Sequence, residues 1–275
     1  MIRVLFSFLC SIFISIGSCS VAFSGKNILI TAATGELGEE LCKDLASKGY
    51  RLTLTGRNLE KLQRLKNNLE KDYEVKHKIL TFDYKKLDSI KELSNKMVGS
   101  IDGLVLIPPR ASLPSSSIPT SEQWTEAFAD CYTAPLEFVR VLTTKFNPES
   151  SIVIISGLTS VHFIPEYQNS NVLKVMWTAE VKNLSLQLSD KKVRVNVVSP
   201  GVILTRHNIQ KITERGQKEN RSYEDQLKLE TADTPSQRYG QPEDVAQYIT
   251  FLLGNDSKHI NGTNMVIDGG FNRSY

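Results

Sequence analysis

The sequence predicts a single doubly wound α/β domain built on a seven-stranded parallel sheet. Three observations carry that prediction. Short strand-patterned runs recur along the chain, at the starts of residues 27–50 and 51–62 and at 76–84, 101–109, 151–157, 193–201 and 264–270. Helix-patterned segments separate them, as parallel strands joined by crossovers require. The third is the stretch 151–205, where a strand, a helix over about 166–188 and a second strand halted by Pro200 and Gly201 make one complete crossover unit.

The first 24 residues stand apart. Arg3 precedes an apolar run, and no charge follows until Lys26. A basic residue, an apolar stretch and small residues such as Ser20-Val21-Ala22 form a secretory-signal pattern. Ile16-Gly17-Ser18-Cys19 resembles a bacterial lipoprotein box, and the uncharged run 4–23 is long enough to span a bilayer. The expectation is export or membrane association through residues 4–23, in the periplasm, the secretory pathway or as a lipoprotein. An unprocessed leader forming a buried helix would instead leave the chain cytoplasmic. The remaining domain is expected over residues 25–275.

With 33 basic and 30 acidic residues the net charge is only +3, and no basic cluster points to nucleic acid. Beyond the leader only Cys42 and Cys131 remain, both in helical patterns, and the four histidines are scattered. No metal site is expected.

Taken in order, residues 27–50 read as strand, turn and helix, with Leu37, Leu41 and Leu45 on one helical face. The turn is Thr31-Ala32-Ala33-Thr34-Gly35-Glu36-Leu37-Gly38. Residues 51–62 give a strand, the turn Thr55-Gly56-Arg57 and a helix whose Leu59, Leu62, Leu65 and Leu69 are expected inward. The third strand ends near Asp83, and the fourth runs into Pro108 and Pro109, which remove two backbone donors. Residues 120–146 read as one long amphipathic helix. Pro242, Glu243 and Asp244 open a helix that runs to about Leu253.

These segments together resemble the short-chain dehydrogenase/reductases, a family with a Rossmann-type fold. The likeness covers about residue 25 to the carboxyl terminus. In that family the turn is Thr-Gly-x-x-x-Gly-x-Gly, where glycines let a dinucleotide's diphosphate approach a helix amino terminus. Here only Gly38 of the three expected glycines is in place. The resemblance assigns Thr31, Thr34, Gly35 and Gly38 to cofactor binding. Glu36 stands where a phosphate charge would be close. At 4 Å and an effective dielectric of 20 that repulsion amounts to about 4 kcal/mol, and it falls below about 1 kcal/mol if the side chain turns to water. Equally, a glutamate in a first helical turn satisfies the helix dipole.

The same resemblance places Arg57 against a 2′-phosphate, which implies NADP (NADPH) with NAD as the other option. A solvated surface arginine is the competing reading. Asp83 matches the aspartate beside the adenine. Cys131 falls where the common branch has an asparagine anchoring a water relay. Lys174 matches the lysine that holds the nicotinamide ribose, and Thr205 matches a residue near the carboxamide or phosphates. Residues 206–234 match the substrate lid.

The catalytic positions depart from the common branch. Its Tyr-x-x-x-Lys becomes Ser170-x-x-x-Lys174, and its serine falls on Gly157, with Ser156 one residue early. The enoyl-acyl-carrier-protein reductases, a divergent branch, use Tyr-x6-Lys, and Tyr167 followed by Lys174 resembles that spacing. Tyr167 can also be read as an ordinary aromatic at a helix start. The candidate catalytic set is therefore Tyr167, Lys174 and Ser156. The implied function is NADP(H)-dependent reduction of a carbonyl or conjugated alkene in a small-molecule or acyl substrate, by a homo-oligomer. The alternative is a catalytically inactive scaffold that kept the fold for binding or assembly.

Overall fold

The computed structural model describes residues 25–97, 99–114 and 117–274. The leader and the export or anchoring expected of it lie outside the described residues. Among those described, no helix is long and apolar enough to cross a membrane.

Seven parallel strands form one sheet in the order β3-β2-β1-β4-β5-β6-β7. They are β1 (Asn27–Ile30), β2 (Arg51–Gly56), β3 (Lys78–Thr81), β4 (Ile101–Leu106), β5 (Phe146–Ile155), β6 (Arg194–Pro200) and β7 (Asn264–Ile267). The order reverses between β1 and β4, so loops on either side of that switch diverge and leave a crevice beyond the strands' carboxyl ends. The strands are short and apolar because helices cover both faces. On one face α1 (Glu36–Ser47), α2 (Leu59–Tyr73) and α9 (Pro242–Leu253) pack, with Leu41, Leu45, Leu62 and Ile249 buried there. The other face carries α3 (Leu87–Lys96), α4 (Ser121–Phe128), α5 (Ala134–Leu142) and α6 (Gln168–Gln187), with Phe138, Trp177 and Val181 at its centre. Between β6 and β7 stand α7 (Arg206–Lys218) and α8 (Tyr223–Thr231), in the region read as a lid.

Two expectations need correction. Leu59 is 57% exposed, since it occupies the first position of α2 before the apolar stripe begins; Leu62, Leu65 and Leu69 alone carry that face. The helix expected over 120–146 is interrupted: a π-turn spans Ala129–Thr133 between α4 and α5, and Phe146 already belongs to β5. Single π-turns inside helices gather at functional sites, and this one contains Cys131.

Candidate functional site

The turn between β1 and α1 holds a left-handed residue and one sterically required glycine. Ala32, at the first glycine position, adopts φ 49°, in the left-handed region that favours glycine. Gly38 is required sterically: a Cβ there would collide with the Ala32 carbonyl oxygen and stand 2.9 Å from that of Ala33. Thr31 is buried and spent on the sheet, its hydroxyl accepting from the Ile107 N–H at 2.7 Å and donating to the Val105 carbonyl at 3.3 Å. It therefore positions the turn against the end of β4.

Thr34, Gly35, Gly56, Arg57 and Asp83 line one cleft of about 440 Å³, beyond the carboxyl ends of β1 to β4. Arg57 is exposed at this cleft and makes no hydrogen bond or ion pair among the described residues. One Asp83 carboxylate oxygen accepts from the Lys85 N–H at 3.1 Å. The Lys85 ammonium pairs with Glu126 at 2.9 Å and Asp130 at 3.0 Å, which pushes its pKa up to about 12 and ties α4 and the π-turn to the cleft wall. Tyr84 lines the same cleft with its hydroxyl buried and completing no hydrogen bond, and burial pushes that phenol well above its ordinary pKa. An unpaired guanidinium and a carboxylate around an open cleft suit the adenosine half of a phosphorylated dinucleotide.

Pro108 and Pro109 separate this cleft from a much smaller cavity lined by Cys131, Leu173, Lys174 and Trp177. The Lys174 ammonium makes no hydrogen bond among the described residues. Burial pulls its pKa below the usual lysine range, opposed by nearby Cys131 and reinforced by Arg110. The Cys131 thiol is itself pushed up to about 11 by burial, with Lys174 holding it back. The π-turn thus presents the cysteine toward the lysine. Its carbonyl, however, accepts from the Trp177 indole N–H at 3.1 Å. That bond takes up one of the two lone pairs of the carbonyl.

Ser156 donates to the Lys174 main-chain carbonyl at 3.0 Å, so its hydroxyl joins β5 to α6. The open position is Gly157, where a Cβ would lie 3.9 Å from Lys174 Cε in ordinary contact. Tyr167 ends the 3₁₀ turn Pro165–Tyr167, 47% exposed, and immediately precedes α6, whose second turn carries Lys174. It lies within electrostatic range of Arg215 and Tyr239. Those two residues converge on the Glu230 carboxylate, Arg215 at 2.6 and 2.7 Å and the Tyr239 hydroxyl at 3.1 Å, and hold α7 to α8. Thr205 caps α7, its hydroxyl accepting from the Asn208 N–H at 3.4 Å.

The structure therefore brings Thr34, Gly35, Arg57 and Asp83 together at one cleft, places Lys174 behind the two prolines, and sets Tyr167 against the lid. Sequence reasoning missed two participants. Trp177 stands one helical turn beyond Lys174, a spacing that could have flagged it. Arg206 had no local signal; its main-chain N–H donates to the Glu36 carboxylate at 2.9 and 3.1 Å, and its guanidinium pairs with the same group.

The family profile described as enoyl-(acyl carrier protein) reductase matches residues 32–272. Glucose 1-dehydrogenase of Gluconobacter oxydans is 28% identical over 254 residues, covering 90% of this chain and 92% of that protein. The 3-oxoacyl-(acyl-carrier-protein) reductase of Rickettsia bellii is 25% identical over 255 residues, covering 91% and 98%. Among solved structures, L-sorbose reductase from Gluconobacter frateurii complexed with NADPH and L-sorbose superposes with a TM-score of 0.82 at 21% identity, over 92% of this chain and 98% of that one. An NADPH-bound short-chain oxidoreductase from Pseudomonas aeruginosa, described as containing an atypical catalytic center, gives 0.81 at 18% identity, over 91% and 98%. At such identities the structural likeness establishes the fold. With the profile spanning most of the domain, the chain belongs to the short-chain dehydrogenase/reductase family of oxidoreductases, in the group described as enoyl-(acyl carrier protein) reductase.

Proposed function

We propose that this chain is an NADP(H)-dependent reductase of a carbonyl or conjugated alkene, with Tyr167 as proton donor or enolate stabiliser and Lys174 holding the nicotinamide ribose. The observation that carries the reading is the unpaired Arg57 guanidinium at the open cleft beside Asp83. A guanidinium in that place pairs a 2′-phosphate by two parallel hydrogen bonds, which a ribose hydroxyl cannot match. NADPH in the two structural neighbours described above supports the same choice. When bound, the cofactor supplies hydride. Thr34 and Gly35 would border its diphosphate, Arg57 its 2′-phosphate and Asp83 its adenine.

The residues near the chemistry do different work from the common branch. With Gly157 lacking a side chain, no hydroxyl stands at the family's serine position to carry a proton to a substrate oxygen. Tyr167, half-exposed and facing the lid, is the group that reaches a substrate entering past α7 and α8. A small-molecule or acyl substrate fits that approach.

A second reading is favoured by a specific contact. Glu36 reaches across the phosphate turn to Arg206, and with Gly157 and Cys131 this suits a scaffold that has kept the fold without catalysis. Turnover separates the two. NADPH consumption is followed with a short β-keto thioester and a trans-2-enoyl thioester, for wild type, Tyr167→Phe and Ser170→Ala. The reductase reading expects consumption with one of them, lost at least ~100-fold in Tyr167→Phe and retained in Ser170→Ala. No consumption with either compound favours the scaffold, and loss only in Ser170→Ala moves the proton donor to residue 170.

We further propose a homo-oligomer, supported by Val172, Val175 and Leu186 exposed along α6, and tested by sedimentation. Export or anchoring through residues 4–23 is supported by the uncharged run between Arg3 and Lys26, and is tested by fusing residues 1–26 to a reporter.

A further inference from the structure

Two helix amino termini converge on one side chain. Helix α1 begins at Glu36 itself, and its amino-terminal cap, Gly35, provides no side-chain hydrogen bond. Helix α7 begins at Arg206, whose N–H points outward as one of the unsatisfied donors every helix start carries. The Glu36 carboxylate accepts from that N–H with both oxygens, at 2.9 and 3.1 Å, and from the Arg206 guanidinium as well. The contact joins residues 170 apart in the chain. One of its anchors is the phosphate turn and the other is the first residue of the lid.

We infer that the Glu36–Arg206 contact is an internal anion latch: the carboxylate stands in for a dinucleotide's diphosphate between the two helix starts, and a diphosphate must displace it to bind. The inference rests on the NADP(H) reading above and deepens it, because it names the residue that sets cofactor affinity.

The physics runs in both directions. Without nucleotide, a negative group is favoured at a helix amino terminus, and Glu36 supplies one from within the chain. The latch then holds the start of α7 against the turn before anything binds. When a diphosphate enters, its oxygens seek the same donors, and two anions cannot share them without repulsion. Glu36 is only partly exposed in the latch, but its neighbour Arg206 is mostly in solvent, its side chain at 85% exposure, and is free to swing. Once released from Glu36, Arg206 becomes a guanidinium at the edge of the diphosphate path, a better partner for phosphate than a lone N–H. Glu36 is therefore a brake on binding, and Arg206 changes partner from carboxylate to phosphate.

The test uses the full-length chain and its Glu36→Gly, Glu36→Gln and Glu36→Gln/Arg206→Ala variants. NADPH affinity is measured by calorimetry, and adenosine 2′-monophosphate, which has no diphosphate, serves as the control ligand. Hydrogen exchange of the Arg206 amide is followed without nucleotide. The latch predicts that Glu36→Gly and Glu36→Gln tighten NADPH at least ~10-fold and leave the control ligand unchanged. It also predicts faster Arg206 amide exchange in both variants, and NADPH affinity falling back in the double variant. NADPH affinity unchanged or weakened in Glu36→Gly, with the control ligand still binding, overturns the latch and leaves the cofactor reading standing. Absence of both NADPH and control-ligand binding in every variant overturns the cofactor reading and the latch with it. A double variant that binds as tightly as Glu36→Gln overturns the partner change assigned to Arg206.

Discussion

The indole N–H of Trp177 donates to the carbonyl oxygen of Cys131 at 3.1 Å, across the gap between α6 and the π-turn. Both residues are buried, Trp177 to 1% exposure, and Tyr132 packs edge-on against the same indole with centroids 5.3 Å apart. A π-turn frees main-chain groups from the helical ladder, and here one of them is satisfied by a side chain three residues beyond Lys174.

Trp177→Phe removes that donor, leaves the Cys131 carbonyl buried and shrinks a filled core position. The expected loss is about 2–4 kcal/mol of folding stability. Urea unfolding followed by far-ultraviolet circular dichroism measures it. A change below about 0.5 kcal/mol would mean that water replaces the indole without penalty.

Ala32 holds a left-handed φ of 49° with its side chain in solvent. Replacing it with glycine relieves the strain and removes no packing, so Ala32→Gly should stabilise the fold by about 1 kcal/mol. Gly38→Ala should do the reverse, because its new Cβ meets two backbone carbonyl oxygens that cannot move without distorting the turn. A loss above about 3 kcal/mol or failure to fold is expected. Thermal unfolding of the two variants side by side checks both signs.

Burial lowers the Lys174 pKa below its ordinary 10.5. Between the folded value and 10.5 the unfolded chain holds a proton that the folded chain has released. Stability therefore rises with pH through that window, and the burial penalty is complete below the folded pKa and gone above 10.5. Lys174→Met should accordingly be more stable than wild type at neutral pH, with an advantage that shrinks as pH approaches 10.5. The neighbouring Cys131 thiol, near 11, titrates just beyond that range. Denaturant midpoints from pH 7 to 10 test the sign, and an advantage that grows with pH would contradict it.

The sheet was legible because buried parallel strands leave short β-branched runs: Ile152 to Ile155 is apolar on both faces, residues 193–198 carry valine at 193, 195, 197 and 198 beside Arg194 and Asn196, and each run is halted by a turn. Gly38 was legible as the one glycine of the family turn kept in place, although the contact that requires it, with the Ala32 and Ala33 carbonyls of its own turn, shows only in the fold. The break at residues 129–133 was not, because a π-turn offsets the helical period by only about one residue, too little to show in so short an apolar pattern. Leu59 read as core because it lies in phase with Leu62, and only the start of α2 separates them. Ser156 carried the right chemistry one residue from the family position, but its hydroxyl is spent on the Lys174 carbonyl. The Glu36–Arg206 contact joins residues with no shared periodicity, and only the folded chain places them together.

Nucleotide titration of the full-length chain tests the central claim most directly. NADPH should bind, NADH at least ~10-fold more weakly, and Arg57→Ala should remove most of that difference by weakening NADPH alone. Equal affinity for the two nucleotides would contradict the role given to Arg57, and no binding of either at millimolar concentration would contradict the oxidoreductase account itself.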